Sequence, residues 1–165
     1  MQISDLFDQF KHSAFRLEAL PVYKVDDEIE ALEQFRLDGS LPSGHNDDWA
    51  ELIRGNLAAG KSMKRLRLFT ATLNPYEVFE RNVYEINLDA GEEIRAADRA
   101  AFTTDRDFWC FDNRWIAKMI YDHEGGWHGA DVSEMTTEDH AMMERWQAVF
   151  DSSPDVREAY PIARA

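Results

Sequence analysis

The chain has 165 residues, a formal net charge of −14 and 44% hydrophobic residues, including ten Phe, five Trp and five Tyr. Such a length and aromatic content fit one domain with a packed core and exclude a disordered chain, while the acidity argues against direct binding to nucleic acid or an anionic membrane. The lone cysteine, Cys110, excludes an internal disulfide framework and points to a reducing, cytoplasmic setting, and no apolar run approaches membrane-spanning length.

The opening SDLFDQFKHS suits a short amphipathic helix, with Ser4 as its N-cap and Leu6, Phe7 and Phe10 as its apolar stripe. AFRLEALPVYKV alternates apolar and polar residues up to Pro21 and reads as an edge or strand. DDEIEALEQFRLDG is a helix with acids in its first turn and Gly39 as its stop. The loop SLPSGHNDD ends in an N-cap before a second helical pattern, WAELIRGNLAAG, which closes at Gly60. KSMKRLRLFTAT is a strand. NPYEVFERNVYEINLDAG is a helix with Pro75 near its start and Gly91 just past its end. EEIRAADR is a short strand. DFWCFDNRWIAKMIYDHEGGWHGADVSE reads as two strands joined by an Asp112-Asn113-Arg114 turn, then a Gly-Gly turn and a third strand. TTEDHAMMERWQAVFDSS is the last helix, capped by Thr136 or Thr137, and a tail with two prolines follows. The order predicts a single α/β (α+β) domain over residues 1–165, a mixed sheet with flanking helices and a C-terminal hairpin plus helix.

GNLAAGKS, residues 55–62, fits the phosphate-loop pattern G-x-x-x-x-G-K-[S/T]. Phosphate cradling needs a strand before the loop and a helix after it. Here Trp49, Leu52, Ile53 and Leu57 precede the loop on helical spacing and a β-type run follows it. The order is reversed, so Gly60 reads as a helix stop and Lys61 as a cation at the negative end of the helix dipole. No nucleotide or other cofactor is expected.

Arg65 and Arg67 sit two apart on a strand and share a face, as do Arg16 and Glu18 on the first extended segment. If those strands are neighbours, the four converge on one polar cluster, with Glu80, Arg95, Asp107 and Asp112 as its remaining members. Paired guanidiniums suit a carboxylate or phosphate, although a salt-bridged strand face is the structural alternative. Phe108, Cys110 and Asp112 share one face of DFWCFDNRWIAKM and Trp109 and Phe111 the other, the pattern of a core strand with Cys110 as a buried small hydrophobe. His123, Glu124 and His128 flank the Gly-Gly turn without needing to converge, so they read as surface residues and not as a metal site.

SAFRLEALPVY, KRLRLFT, YEVFERNVYEINLDAGEEIR and DFWCFDNRWIAKMIYDHEGGWHGADV, with a Trp-containing last helix, together resemble an actinobacterial family, domain-of-unknown-function 6879. The resemblance spans nearly the whole chain and implies fold and lineage, with no activity to carry over. Members stand near helix-turn-helix regulators, which implies such a regulator as a protein partner. A distant likeness to phospholipase-D-like folds, without their H-x-K motif, implies a non-catalytic scaffold. The leading reading is therefore a non-enzymatic regulatory or sensor-type protein that binds a partner protein or a small anionic effector. The alternative is a hydrolase or transferase, with the arginines as clamp and Glu80 or Asp107 as base. The third is an acidic mimic that covers a regulator's DNA-binding face.

Overall fold

Strand residues alternate between the two faces of a sheet, and two such stretches near the chain's start and middle organise this fold. In a computed structural model, which describes residues 1–162, β1 (Ser13–Glu18) and β2 (Ser62–Phe69) pair in parallel at the centre of a six-stranded mixed sheet. β3 (Glu93–Asp98) extends the parallel side beyond β2. β4 (Phe108–Phe111), β5 (Trp115–Tyr121) and β6 (Trp127–Glu134) form an antiparallel meander on the other side of β1. The spatial order is β3-β2-β1-β4-β5-β6. β1 thus lies inside the sheet, not at an edge: from Ala14 to Glu18 every residue is buried.

Among the described residues six α-helices cover the sheet or join its strands: α1 (Ile3–Gln9), α2 (Ile29–Asp38), α3 (Asp47–Ala58), α4 (Pro75–Ala90), α5 (Thr137–Ser152) and α6 (Val156–Ala159). α5 lays Met142, Met143 and Phe150 on the face that carries Phe15, Leu17, Leu66, Leu68, Phe108 and Cys110. α1 and α3 cover the opposite face, where Leu6, Phe10 and Ile53 meet Ala14, Met63, Trp109 and Phe111. β4 is therefore buried on both faces, as its unbroken aromatic run requires. α2 packs on α4 through Ala31, Phe35, Tyr76 and Phe79. No helix among the described residues is long and apolar enough to cross a membrane.

Local chemistry accounts for most boundaries. α4 starts at a reciprocal capping box between Asn74 and Glu77 with Pro75 at its first position, and α5 starts at another between Thr136 and Asp139. α4 ends at Gly91, whose φ of +111° favours glycine and where an added Cβ would push against the Leu57 side chain. α1 begins two residues earlier than its sequence pattern indicates. Gln2 caps it with Asp5 as the reciprocal partner, so Ser4 lies inside the helix. α3 likewise starts at Asp47, after Asn46 in a left-handed conformation. Residues 55–58 of GNLAAGKS belong to α3, Gly60 turns the chain at φ +82° and Ser62 opens β2. Lys61 lies 4.4 Å over the Phe10 ring. The helix–turn–strand order read from the sequence holds.

Candidate functional site

The parallel register sets Arg16 beside Arg65 and Glu18 beside Arg67, all on the face turned toward α3 and α4. Four ionisable side chains on a buried face need partners, because a lone buried charge is prohibitively costly. Arg16 Nη1 donates to Asp107 Oδ1 at 2.5 Å and to the Leu17 and Phe108 carbonyls at 2.5 and 3.2 Å. Arg65 Nε donates to Glu92 Oε1 at 2.7 Å, while its Nη1 donates to Glu18 Oε1 at 2.5 Å. Arg67 Nε donates to Glu80 Oε1 at 2.7 Å and its Nη1 to the Leu20 carbonyl at 2.7 Å. Arg67 is the largest fully buried side chain among the described residues, and its Nη2 has no partner.

Aromatic residues complete this network. The Tyr84 hydroxyl donates to Glu18 Oε1 at 2.5 Å and the Tyr23 hydroxyl to Asp107 Oδ2 at 2.5 Å. The guanidiniums of Arg16 and Arg65 lie 5.8 and 5.7 Å from the Trp109 ring centroid, and that of Arg67 lies 5.3 Å from Tyr23 and 4.8 Å from Phe69. Asn87 Nδ2 holds the other oxygen of Glu92 at 2.8 Å, and Asn46 Nδ2 holds Asn87 Oδ1 at 2.7 Å. That chain of amides ties the start of α3 to the cluster.

Six of the eight residues singled out from the sequence meet here: Arg16, Glu18, Arg65, Arg67, Glu80 and Asp107. Arg95 does not. It pairs in register with Leu66 and so takes Leu66's face of the sheet, where its Nη1 donates to the carbonyls of Phe150, Asp151 and Ser153 at the end of α5. Cations belong there, at the negative pole of a helix. Asp112 does not join either. It sits at φ +55° in the β4–β5 turn and accepts from the backbone N–H groups of Lys11, His12 and Ser13 at 2.8, 2.6 and 3.0 Å, fastening the α1–β1 loop. Glu28, Glu92, Tyr23, Tyr84 and Asn87 belong to the site but were not read from the sequence. Asn87 and Glu92 carry only the signal of a polar residue on a face of α4 or at a strand's start, Glu28 that of an acid in a helix's first turn, and Tyr23 and Tyr84 that of core aromatics.

A cleft of about 760 Å³ opens onto the cluster between the α2 side, α3 and α4. The buried Glu18, Arg65, Glu80, Tyr84 and Trp109 line it together with the half-buried Trp49, Glu28 and His45. Burial opposes ionisation of Glu18, but Arg65, Arg16 and Arg67 outweigh it and hold that carboxyl well below the usual range. Glu80 goes the other way: burial raises it, Arg67 only partly compensates, and the charges of Glu18 and Glu28 add to the rise. Glu28 is pushed up to about 7 by burial and by the Glu18 charge, against the pull of the Tyr76 hydroxyl.

The other titratable groups flagged in the sequence lie elsewhere. Cys110 is buried under α5, and burial pushes its thiol up to about 12, which disfavours the thiolate. His128 bonds Asp122 at 3.0 Å and Glu124 pairs with Lys24 at 2.9 Å. Among the described residues no group of three or more His, Cys, Asp or Glu is disposed to hold a metal ion.

No curated protein matches the chain in sequence. A family described as a domain of unknown function (DUF6879) matches residues 1–161. With that match running from α1 through α6 and across the whole buried cluster, the chain belongs to the DUF6879 family.

Proposed function

We propose that this is a non-enzymatic, ligand-responsive regulatory protein: a small polar effector enters the cleft above the ion-pair cluster, and a partner protein reads the result. The observation that carries this reading is the cleft itself, about 760 Å³ of open space ending on buried ionisable groups and two indoles. Such a convergence in a concave site is the usual mark of a binding function. The arginines are held by internal carboxylates and carbonyls, which supports a structural role for them. An anionic effector at Arg65 would have to displace Glu18 or Glu92, whereas a neutral or cationic one requires no exchange. The partner we propose is a helix-turn-helix regulator, whose basic DNA-binding face would complement a chain of net charge −14.

A second reading has its own support. Glu28 is held near 7 and Glu80 above the ordinary carboxyl range, which suits proton transfer in a hydrolase or transferase. Thermal denaturation across a panel of metabolites tests the binding reading. A ligand at a hundred times its Kd adds about 2.7 kcal/mol and should raise the midpoint by roughly 5–11 °C in a domain this size. Turnover of a ligand that shifts the midpoint would move the protein to the enzyme class. No shift with any compound would remove the effector and leave partner binding alone.

A further inference from the structure

The cluster holds more carboxyl groups than guanidiniums. Three guanidiniums, Arg16, Arg65 and Arg67, face Asp107, Glu18, Glu92 and Glu80, and Glu28 stands in the same cleft. The imbalance is local: Asp107 and Glu92 have both oxygens engaged. Glu80 uses only Oε1, toward Arg67. Glu18 uses Oε1, toward Arg65 and Tyr84, and its Oε2 stands 4.0 Å from Arg16 without a hydrogen bond.

Both side chains are only 9% exposed and both line the cleft. Their second oxygens accept no hydrogen bond among the described residues, yet neither is among the sealed, unpaired buried atoms, which are Trp49 Nε1, Arg67 Nη2 and Arg81 Nη1. The two oxygens therefore keep some exposure, and both residues line the cleft. A nearly buried carboxyl oxygen with no partner in the fold can take one from a ligand in the cleft.

We infer that the cleft takes a small organic cation, a primary ammonium or guanidinium, that donates to the free oxygens of Glu80 and Glu18, is flanked by Glu28, and lays its apolar part against Trp49 and Trp109. The inference rests on the cleft being a ligand site and adds the ligand's charge and chemical class. An ammonium supplies three donors and a guanidinium five, and the charge of either would favour the ionised forms of Glu80 and Glu28, whose protons burial otherwise retains. Aromatic faces beside carboxylates also suit an organic cation. A metal ion fits less well, since the described residues offer it no cluster of ligands.

The test is calorimetric titration of the full chain with tyramine and agmatine, against 4-ethylphenol as the uncharged counterpart and citrate and glucose 6-phosphate as anions. An amine should bind, and 4-ethylphenol should bind about 10- to 100-fold more weakly or not at all, the range of a hydrogen bond to a charged group. Glu80→Gln and Glu28→Gln should each weaken the amine about tenfold or more at an unchanged circular-dichroism spectrum. Glu28 is only half-buried and bonded to Tyr76 at 3.4 Å, so its variant keeps the test valid if Glu80→Gln fails to fold. Binding of an anion but no amine would overturn the cationic ligand and leave the effector reading standing. Equal binding of tyramine and 4-ethylphenol, or amine binding indifferent to both substitutions, would also overturn it. No binding by either class at millimolar concentration would overturn both.

Discussion

Arg67→Ala separates a structural cluster from a ligand clamp. Arg67 has 0% exposure, and its removal strands Glu80 Oε1, 2.7 Å away, together with the carbonyl of Leu20 at 2.7 Å and those of Glu18 and Leu68 at 3.3 Å. Removing one member of a buried ion pair costs about 3–5 kcal/mol, most of it the penalty on the charge left behind. At about 2–4 °C per kcal/mol for a domain of this size, the midpoint should fall by roughly 6–20 °C. The penalty belongs to the orphaned partner and not to a lost contact, so removing both partners should relieve it. Urea denaturation of Arg67→Met, Glu80→Leu and the double variant is the assay, with the double expected to be more stable than either single. A loss below about 1 kcal/mol in Arg67→Ala, or a double variant showing the sum of the two singles, would refute a cluster that holds the sheet to α4.

Other outcomes follow from single sites. Glu28 has its pKa raised by folding, so the native state binds its proton more tightly than the unfolded chain. That contribution is complete below the unfolded value of 4.5 and is lost as pH rises through about 7. Glu28→Gln should flatten the fall in stability between pH 5 and 8 seen by urea denaturation, by no more than about 3 kcal/mol; an unchanged slope would contradict the assignment. Asp112→Ala removes three acceptor contacts to Lys11, His12 and Ser13 and should cost about 2–3 kcal/mol, with amide exchange speeding up first in the α1–β1 loop. Gly55→Ala, helical and with nothing within 4 Å of the added methyl, should stabilise by about 0.5–1 kcal/mol. Gly91→Ala, at φ +111° and against Leu57, should destabilise by about 1–3 kcal/mol. Calorimetric melting distinguishes the two signs.

How much of this was legible depends on the range of the forces involved. Arg16 with Glu18 and Arg65 with Arg67 could be paired on paper because a strand alternates faces every residue, whatever its neighbours are. Arg95 sits in just such a strand, but its face depends on the register between β2 and β3, which places it with Leu66 and which local sequence does not encode. Asp112 looks like an ordinary turn residue because what it fastens, residues 11–13, lies about a hundred positions away in the chain. Glu92 reads as the first residue of a strand, and only the fold brings it to Arg65. Tyr23 and Tyr84 read as ordinary core aromatics, and only the fold reveals where their hydroxyls point. The rejection of GNLAAGKS needed none of this, since helix-before and strand-after are both local signals.

The claim on which the account turns is that the cleft, and not another surface, receives a cationic ligand. The most direct measurement is a two-dimensional ¹H–¹⁵N spectrum of the chain titrated with tyramine. Trp49, Trp109, Asn87 and Arg65 all line that cleft, so the indole N–H, side-chain amide and Nε–H signals of these residues should move together, saturating with one affinity that Glu80→Gln weakens about tenfold or more. Shifts confined to the α5 side of the sheet, or none at saturating tyramine, would contradict it.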